Sequence, residues 1–219
     1  MRAVIFDFDG LILDTETSNF LAWQRLYEEH DCELTKEEWV VCIGSDWSAS
    51  GFHPVTTLET RVGRSLNGMA LEKLHSGYRA KLLSEMDALP GVRERLAEAR
   101  ALGLPCAVAS SSPKTWVLPW LEKLGLIAEF ELFRTFEDTG KVKPDPSLFL
   151  SAAKGLKVAP EDCVVFEDSL NGLRAAKAAN MPCVVVPGPM TAELDFTGAT
   201  RRMNSLLEMT LTELRQHHW

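Results

Sequence analysis

The chain opens on Met1-Arg-Ala-Val-Ile-Phe-Asp-Phe-Asp-Gly10, and the two acids in that stretch constrain everything that follows. Ala3 to Phe8 is a short apolar run rich in β-branched and aromatic residues, the pattern of a buried strand. It carries Asp7 and Asp9 at its end, followed by Gly10. Side chains of a strand alternate between faces, so residues two apart point the same way. Two carboxylates at one place beside a core strand are costly unless a cation or a proton neutralises one of them. Taken alone, the pair also suits a capped turn, because Asp-Gly after a strand is a common turn signal. The rest of the chain decides between a site and a turn.

At 219 residues the chain can bury a sizeable core, as one large domain or as one domain with an insertion. An apolar content of 46% with 25% charged residues places it among ordinary soluble globular proteins. A net charge of −8 with no basic block argues against nucleic acid as a partner. No apolar run approaches a membrane span and the N-terminus enters a strand at once, so neither a membrane segment nor a signal peptide is expected. Cys32, Cys42, Cys106, Cys163 and Cys183 are odd in number and lack metal-binding spacing. Three of them start apolar runs, where a free thiol behaves as a small hydrophobe. A reducing cytoplasm is the expected location.

After Asp14-Thr15 the pattern turns helical. Phe20, Trp23, Leu26 and Tyr27 recur at helical spacing up to about His30. Thr35 with Glu38 is a capping box for a helix carrying Trp39, Val40 and Ile43. Residues 44–54 are expected to be a loop, and helices are expected around Val55 to Val62 and Gly68 to Met86. The reading for residues 15–86 is a helical insertion without strands. From Pro90-Gly91 onward, helices and strands alternate. Helices are expected from Val92 to Leu102, through Leu118, Leu121 and Leu124, from Pro146 to Lys154, and from Leu170 to Ala179. Strands are expected at Cys106–Ala109, near Phe130 to Phe133, at Cys163–Phe166 and at Cys183–Val186. Fully apolar strands alternating with helices predict an α/β fold, a doubly wound parallel sheet covered on both faces. Residues 1–14 and 87–219 form its core in this reading.

In such sheets ligands bind beyond the carboxyl ends of the strands. Those ends carry Asp7 with Asp9, Ser110, and Glu167 with Asp168, while Lys143 lies in the loop Gly140-Lys-Val-Lys-Pro-Asp145. Two acid pairs, a hydroxyl and a cation on one edge suit phosphoryl transfer, which needs charge neutralisation and alignment above all. An Asp carboxylate can serve as nucleophile and form an aspartyl-phosphate, the role expected of Asp7. Mg²⁺, a hard cation that prefers oxygen, would be held by Asp7, Asp168 and the carbonyl of Asp9. Ser110 would donate to a phosphoryl oxygen and Lys143 would balance its charge. Asp9 would protonate the leaving alcohol and then deprotonate water, a role worth roughly 10²–10⁴-fold in rate.

The set Asp7-Phe-Asp9-Gly-Leu-Ile-Leu-Asp14-Thr15, Ala109-Ser110-Ser111-Ser112, Lys143-Pro144-Asp145-Pro146 and Glu167-Asp168-Ser169 resembles the motifs of the haloacid dehalogenase (HAD) superfamily, in order and over essentially the whole chain. The nearest likeness is to its β-phosphoglucomutase-like group, where Asp-Gly-x-x-x-Asp-Thr and Glu-Asp-Ser-x-x-Gly, here through Gly172, are typical. The resemblance implies a Rossmann-like core with an α-helical cap over residues 15–86. It further implies that Asp14 braces the first loop, Thr15 marks the hinge and Glu167 supports the metal site.

Blander readings stand beside several residues. Ser110 also suits the N-cap of the following helix, Ser111 would contribute only its backbone N–H, and Ser112 before Pro113 reads as a cap. Lys141 reads as a solvated loop charge, and the tryptophans as packing, except Trp47 in the polar cap loop. His217-His218-Trp219 reads as a frayed helix end. The β-phosphoglucomutases grip a second phosphate with a cap-loop Arg and carry a His one turn past the Asp-Thr pair. This chain has Asp46 in the matching loop and Asn19 in place of the His, with His53, Arg61 and Arg64 as the available substitutes. Hydrolysis is therefore preferred: a phosphatase of small phosphorylated metabolites, such as sugar phosphates, with a phosphosugar mutase as the alternative. A receiver-like signalling domain would carry its phosphorylated Asp on an internal strand, and a dehalogenase would lack Asp9. A phosphonate hydrolase would need a Schiff-base lysine, for which Lys36, Lys73 and Lys81 are poor candidates. The protein is expected to act as a monomer, a dimer being the alternative.

Overall fold

The computed structural model describes residues 1–40, 43 and 51–216. Asp46, Trp47, Cys42 and the His217-His218-Trp219 end therefore lie outside the described residues. Six strands form one parallel sheet in the order β3-β2-β1-β4-β5-β6. They are β1 (Ala3–Phe6), β2 (Cys106–Ala109), β3 (Leu132–Arg134), β4 (Cys163–Glu167), β5 (Cys183–Val185) and β6 (Arg201–Arg202). The chain builds outward from β1 to β3, then returns to the other side of β1 for β4. The strand order reverses next to β1, where α/β sheets open a crevice at their carboxyl edge.

Every residue of β1, β2, β4 and β5 is buried, and alternation divides them between two cores. Val4, Phe6, Val108, Val164, Phe166 and Val184 face one side. There they meet α5 (Val92–Ala101), α6 (Lys114–Lys123) and α10 (Leu211–Gln216). Ala3, Ile5, Ala107, Ala109, Val165 and Val185 face the other, under α8 (Ser147–Leu156) and α9 (Leu170–Ala178). The second face is built largely from alanines on both partners, including Ala152, Ala153, Ala175 and Ala176, which lets the helices sit close to the sheet. Burying each large side chain contributes ~1.5–3 kcal/mol.

Among the described residues, four helices run between β1 and α5: α1 (Thr15–Glu28), α2 (Lys36–Val40), α3 (Pro54–Val62) and α4 (Gly68–Ser84). They share their own apolar cluster of Phe20, Trp23, Leu26, Tyr27, Leu34, Trp39, Phe52, Val55, Leu58 and Leu71, joined by Met190 from the segment after β5. Asp14 caps α1 by accepting from the Thr17 N–H at 3.0 Å. Thr35 and Glu38 form the reciprocal capping pair expected ahead of α2, at 3.0 and 3.3 Å.

The structure corrects several local expectations. β1 stops at Phe6, so Asp7 and Asp9 both lie beyond the strand and their relation is set by the turn instead of by alternation. β3 begins two residues later than expected and ends at Arg134, and β5 stops at Val185. Phe136–Thr139 forms a short capped helix, α7, and Arg201–Arg202 adds a two-residue edge strand. Neither is long enough to carry a periodic signal. No helix among the described residues is long and apolar enough to cross a membrane.

Candidate active site

Every strand-end candidate arrives at the carboxyl edge around β1. The Asp7 N–H continues the ladder by donating to Phe166 O at 3.0 Å, which ties the first acid to β4. Gly10 then turns the chain back with φ of +80°, and its N–H donates to Leu13 O at 2.8 Å. A Cβ at Gly10 would lie 2.1 Å from Asp168 Oδ2. Glycine is needed there twice over, for the left-handed backbone and for the close approach of the Asp168 carboxylate.

Lys143 sits at the centre of the buried charges. Its Nζ contacts Asp7 Oδ1 and lies 2.6 Å from Glu167 Oε1, with the Phe149 ring 4.7 Å away on another side. Its backbone N–H donates to Ser111 Oγ at 3.0 Å. Ser111 thus anchors the lysine loop through its side chain, where the sequence suggested its backbone N–H alone. Glu167 uses its second oxygen to accept from the N–H groups of Asp168 and Ser169 and from Ser169 Oγ, at 2.9, 3.0 and 3.0 Å. Gly172 makes room for it, since a Cβ there would overlap the Glu167 carboxylate. Glu167 is therefore the tie between Lys143, the end of β4 and the start of α9.

Asp7, Lys143, Glu167 and Asp168 are each less than a tenth exposed. One oxygen from each of the three acids can be chosen so that all lie within 4.8 Å of one another. Burial pushes the Asp7 carboxyl up to about 8, with Glu167 and Asp9 adding to the rise and Lys143 opposing it. Burial likewise drives Asp168 well above the usual carboxylate range, helped by Glu167 and Asp7. Burial alone would lower Lys143, but Asp7 and Glu167 outweigh it and hold the ammonium charged. Three buried acids share one amine, so the cluster holds more oxygen donors than its own cation meets, and all of them are hard. That is a donor set for a hard divalent cation.

Asp9 is held separately. Its Oδ1 accepts from Trp116 Nε1 at 2.9 Å, and its Oδ2 accepts from Ser112 Oγ at 2.6 Å and Ser110 Oγ at 3.3 Å. Ser112 is thus a partner of Asp9, a correction to its reading as a cap: α6 begins at Lys114 with Pro113 at its N-cap. Ser110 Oγ also accepts from the Ser112 N–H at 3.0 Å, which holds the serine loop closed on itself.

These groups line a cleft of about 760 Å³, together with Glu16, Ile43, Arg79, Trp116 and Asn171. Glu16 follows Asp14-Thr15 directly, and burial together with the charge of Asp9 pushes its carboxyl up to about 7. Arg79, from α4, donates to Thr15 O at 3.3 Å and stacks 4.5 Å from the Trp116 ring centre. Thr15 is buried at the first position of α1. Lys141 pairs with Asp145 at 2.9 Å on the surface. Arg61 is engaged with Glu38 and Glu33 O, and neither it, His53 nor Arg64 lines the cleft. Glu16 is within reach of sequence reasoning through its place beside the first motif. Trp116 and Arg79 carry no local signal, because each meets its partner across the fold.

Residues 4–186 match the family described as "Haloacid dehalogenase-like hydrolase". The chain belongs to the haloacid dehalogenase-like hydrolases. It is 44% identical over 217 residues to "Putative phosphatase YhcW" of Bacillus subtilis, covering 99% of this chain and 97% of that protein. It is 32% identical over 190 residues to "Beta-phosphoglucomutase" of the same organism, covering 85% and 83%. Among solved structures it is similar to a mutant form of CbbY from Rhodobacter sphaeroides in complex with xylulose-(1,5)bisphosphate. That likeness has a TM-score of 0.72 at 27% identity and covers 98% of this chain and 99% of CbbY.

Proposed function

We propose that this hydrolase is a Mg²⁺-dependent phosphatase of small phosphorylated metabolites, sugar phosphates above all, acting through an aspartyl-phosphate on Asp7. The observation that carries the reading is the separation of two acids only two residues apart. Asp7 sits in a buried cluster with Lys143, Glu167 and Asp168, while Asp9 sits on neutral donors at the edge of the cleft. Nucleophile and acid–base need different surroundings, and environment is what assigns such roles to paired carboxylates.

In this scheme an Asp7 oxygen bonds to phosphorus as the bond to the leaving oxygen breaks, and Asp9 gives that oxygen a proton. Asp9 then takes a proton from the water that cleaves the acyl-phosphate, restoring Asp7 and releasing phosphate. Lys143 stays charged beside Asp7 and meets the phosphoryl charge. Ser110 Oγ and the Ser111 N–H would supply neutral donors. Asp7, Asp168 and the Asp9 carbonyl would hold Mg²⁺, which would offset carboxylate–phosphate repulsion when bound. Residues 15–86 would act as a cap hinged at Thr15, with Asp14 bracing the first loop.

The mutase alternative draws on the β-phosphoglucomutase relative. Against it, the cations among the described cleft residues are Lys143 and Arg79, and Arg79 already shares the cleft with Glu16 and Asp9. The deciding experiment measures phosphate release with Mg²⁺ over a panel of sugar phosphates, for the native chain and for Asp7→Asn. Metal-dependent turnover retained by Asp7→Asn would sink the nucleophile assignment. Glucose 6-phosphate formed from β-glucose 1-phosphate and its 1,6-bisphosphate, faster than free phosphate, would establish the mutase.

A further inference from the structure

We propose that Trp116, together with Ser112, is a positioning residue that aims the Asp9 carboxylate, and that Arg79 of the helical layer steadies the indole. The inference rests on the acid–base role of Asp9 argued above. It begins with an unusual partner. The indole N–H of Trp116, from the first turn of α6, donates to Asp9 Oδ1 at 2.9 Å. Ser112 Oγ holds Oδ2 at 2.6 Å from the opposite side of the carboxylate. Two short bonds to two different oxygens fix the rotation of the carboxyl group as well as its position.

The chemistry of the two donors is unequal. An indole N–H can only donate, whereas a serine hydroxyl both donates and accepts. Trp116 therefore occupies Oδ1 whether Asp9 carries a proton or not. Oδ2 is left on hydroxyls that can reverse their sense, so it is the oxygen that exchanges the proton with the leaving group or water. As the P–O bond breaks, the proton passes from Oδ2 to the leaving oxygen, and Oδ1 remains on the indole.

Trp116 is in turn held from the helical layer. The Arg79 guanidinium lies 4.5 Å from its ring centre, a cation–π distance. Arg79 Nη2 donates to Thr15 O, while its buried Nε has no hydrogen-bond partner among the described residues. The contacts run from α4 through Arg79 and Trp116 to Asp9, so the helical layer reaches the acid–base group.

The test compares p-nitrophenyl phosphate with phenyl phosphate, two probes of similar shape whose leaving groups differ in their need for a proton. Trp116→Phe keeps a ring beneath Arg79 and removes the N–H. It should lower kcat on phenyl phosphate by ~10-fold or more, and on p-nitrophenyl phosphate by less than ~3-fold, with KM little changed. Equal losses on the two probes, or a change confined to KM, would overturn the proposal. Ser112→Ala removes the second tie with almost no change in volume and should show the same preference between probes; equal losses there would also count against it. In an Asp9→Asn background, Trp116→Phe should cost nothing further, because residues acting through one another are not additive. A full additional loss would refute positioning. If Asp9→Asn alone turns over phenyl phosphate as the native chain does, the acid–base reading fails instead, and the two failures are told apart.

Discussion

Gly10→Ala is the substitution whose cost can be worked most directly from the structure. At φ of +80° an alanine sits in the left-handed region, which costs roughly 1–2 kcal/mol for a residue with a Cβ. The added carbon would also lie 2.1 Å from Asp168 Oδ2 and 2.7 Å from its Cγ. Ordinary contact begins above 3.4 Å, so the carboxylate has to move by more than ~1 Å, the scale of misplacement that costs about 100-fold in rate. Asp168 offers an oxygen within 4.8 Å of oxygens of Asp7 and Glu167, so a shift of that size disturbs the donor set. Two losses should appear together: a modest fall in thermal stability and a large fall in kcat/KM on p-nitrophenyl phosphate. Because Asp168 is the proposed metal ligand, the stabilisation that the native chain gains from Mg²⁺ should shrink in the variant. Thermal melts with and without Mg²⁺, beside initial rates across Mg²⁺ concentration, read all of this. A Gly10→Ala protein with native Mg²⁺ dependence and turnover within ~3-fold would show that the approach of Asp168 to the turn is irrelevant to the site.

Other outcomes follow from the same cluster. Lys143→Met leaves three buried carboxylates without their amine, a broken pair of the kind that costs about 3–5 kcal/mol, and urea unfolding should register it. In the metal-free protein the folded Asp7 carboxyl titrates at about 8, above its unfolded value near 3.9. The folded state then binds more protons between those limits, so metal-free stability should fall as pH rises from about 4 to 8. Melts in chelator across that range measure it, and a rise with pH would contradict the burial argument. Mg²⁺ displaces those protons, so its affinity by calorimetry should increase over the same window. Glu16→Gln removes a carboxyl that titrates near 7 beside Asp9, and any step in the rate profile near neutrality that depends on Glu16 should disappear with it.

How much of this is legible in the sequence depends on whether the signal is local. Ala3–Phe6, Cys106–Ala109 and Cys163–Glu167 are fully buried strands, and continuous apolar runs announce that kind of strand clearly. The helices α1, α3 and α4 fall near their expected positions for the same reason, their periodicity being long enough to read. β3 is shifted along the chain from its expected bounds because its three residues are only half-buried and end in Arg134, so no contrast marks its ends. Asp7, Lys143, Glu167 and Asp168 are legible as strand-end or motif residues. Ser112 misleads because a serine before a proline at a helix start normally caps, and its actual partner lies 103 positions earlier in the chain. Trp116 reads as packing for a like reason: its ring does pack against the core, and only the fold brings its N–H to Asp9.

The opening pair of acids shows what the turn accomplishes. Had β1 continued through Asp9, alternation would have put both carboxylates on one face, where each would raise the cost of ionising the other. The strand stops at Phe6 instead, and the chain reverses at Gly10 through bonds from Gly10 N–H to Leu13 O and from Ile12 N–H to Phe8 O. Asp7 is delivered to the amine of Lys143 and the acids of β4, whereas Asp9 is turned toward two serines and an indole. Neighbours in sequence thereby acquire different partners, one set charged and buried, the other neutral and open to the cleft. Exchanging the environments should be harder than exchanging the residues. Asp9→Glu keeps the carboxyl but lengthens the arm, so it must give up either the indole or the Ser112 bond. Its rate on phenyl phosphate should fall well below that on p-nitrophenyl phosphate even though an acid is still present. A fully active Asp9→Glu variant would mean that the two short bonds do not constrain where the proton is delivered.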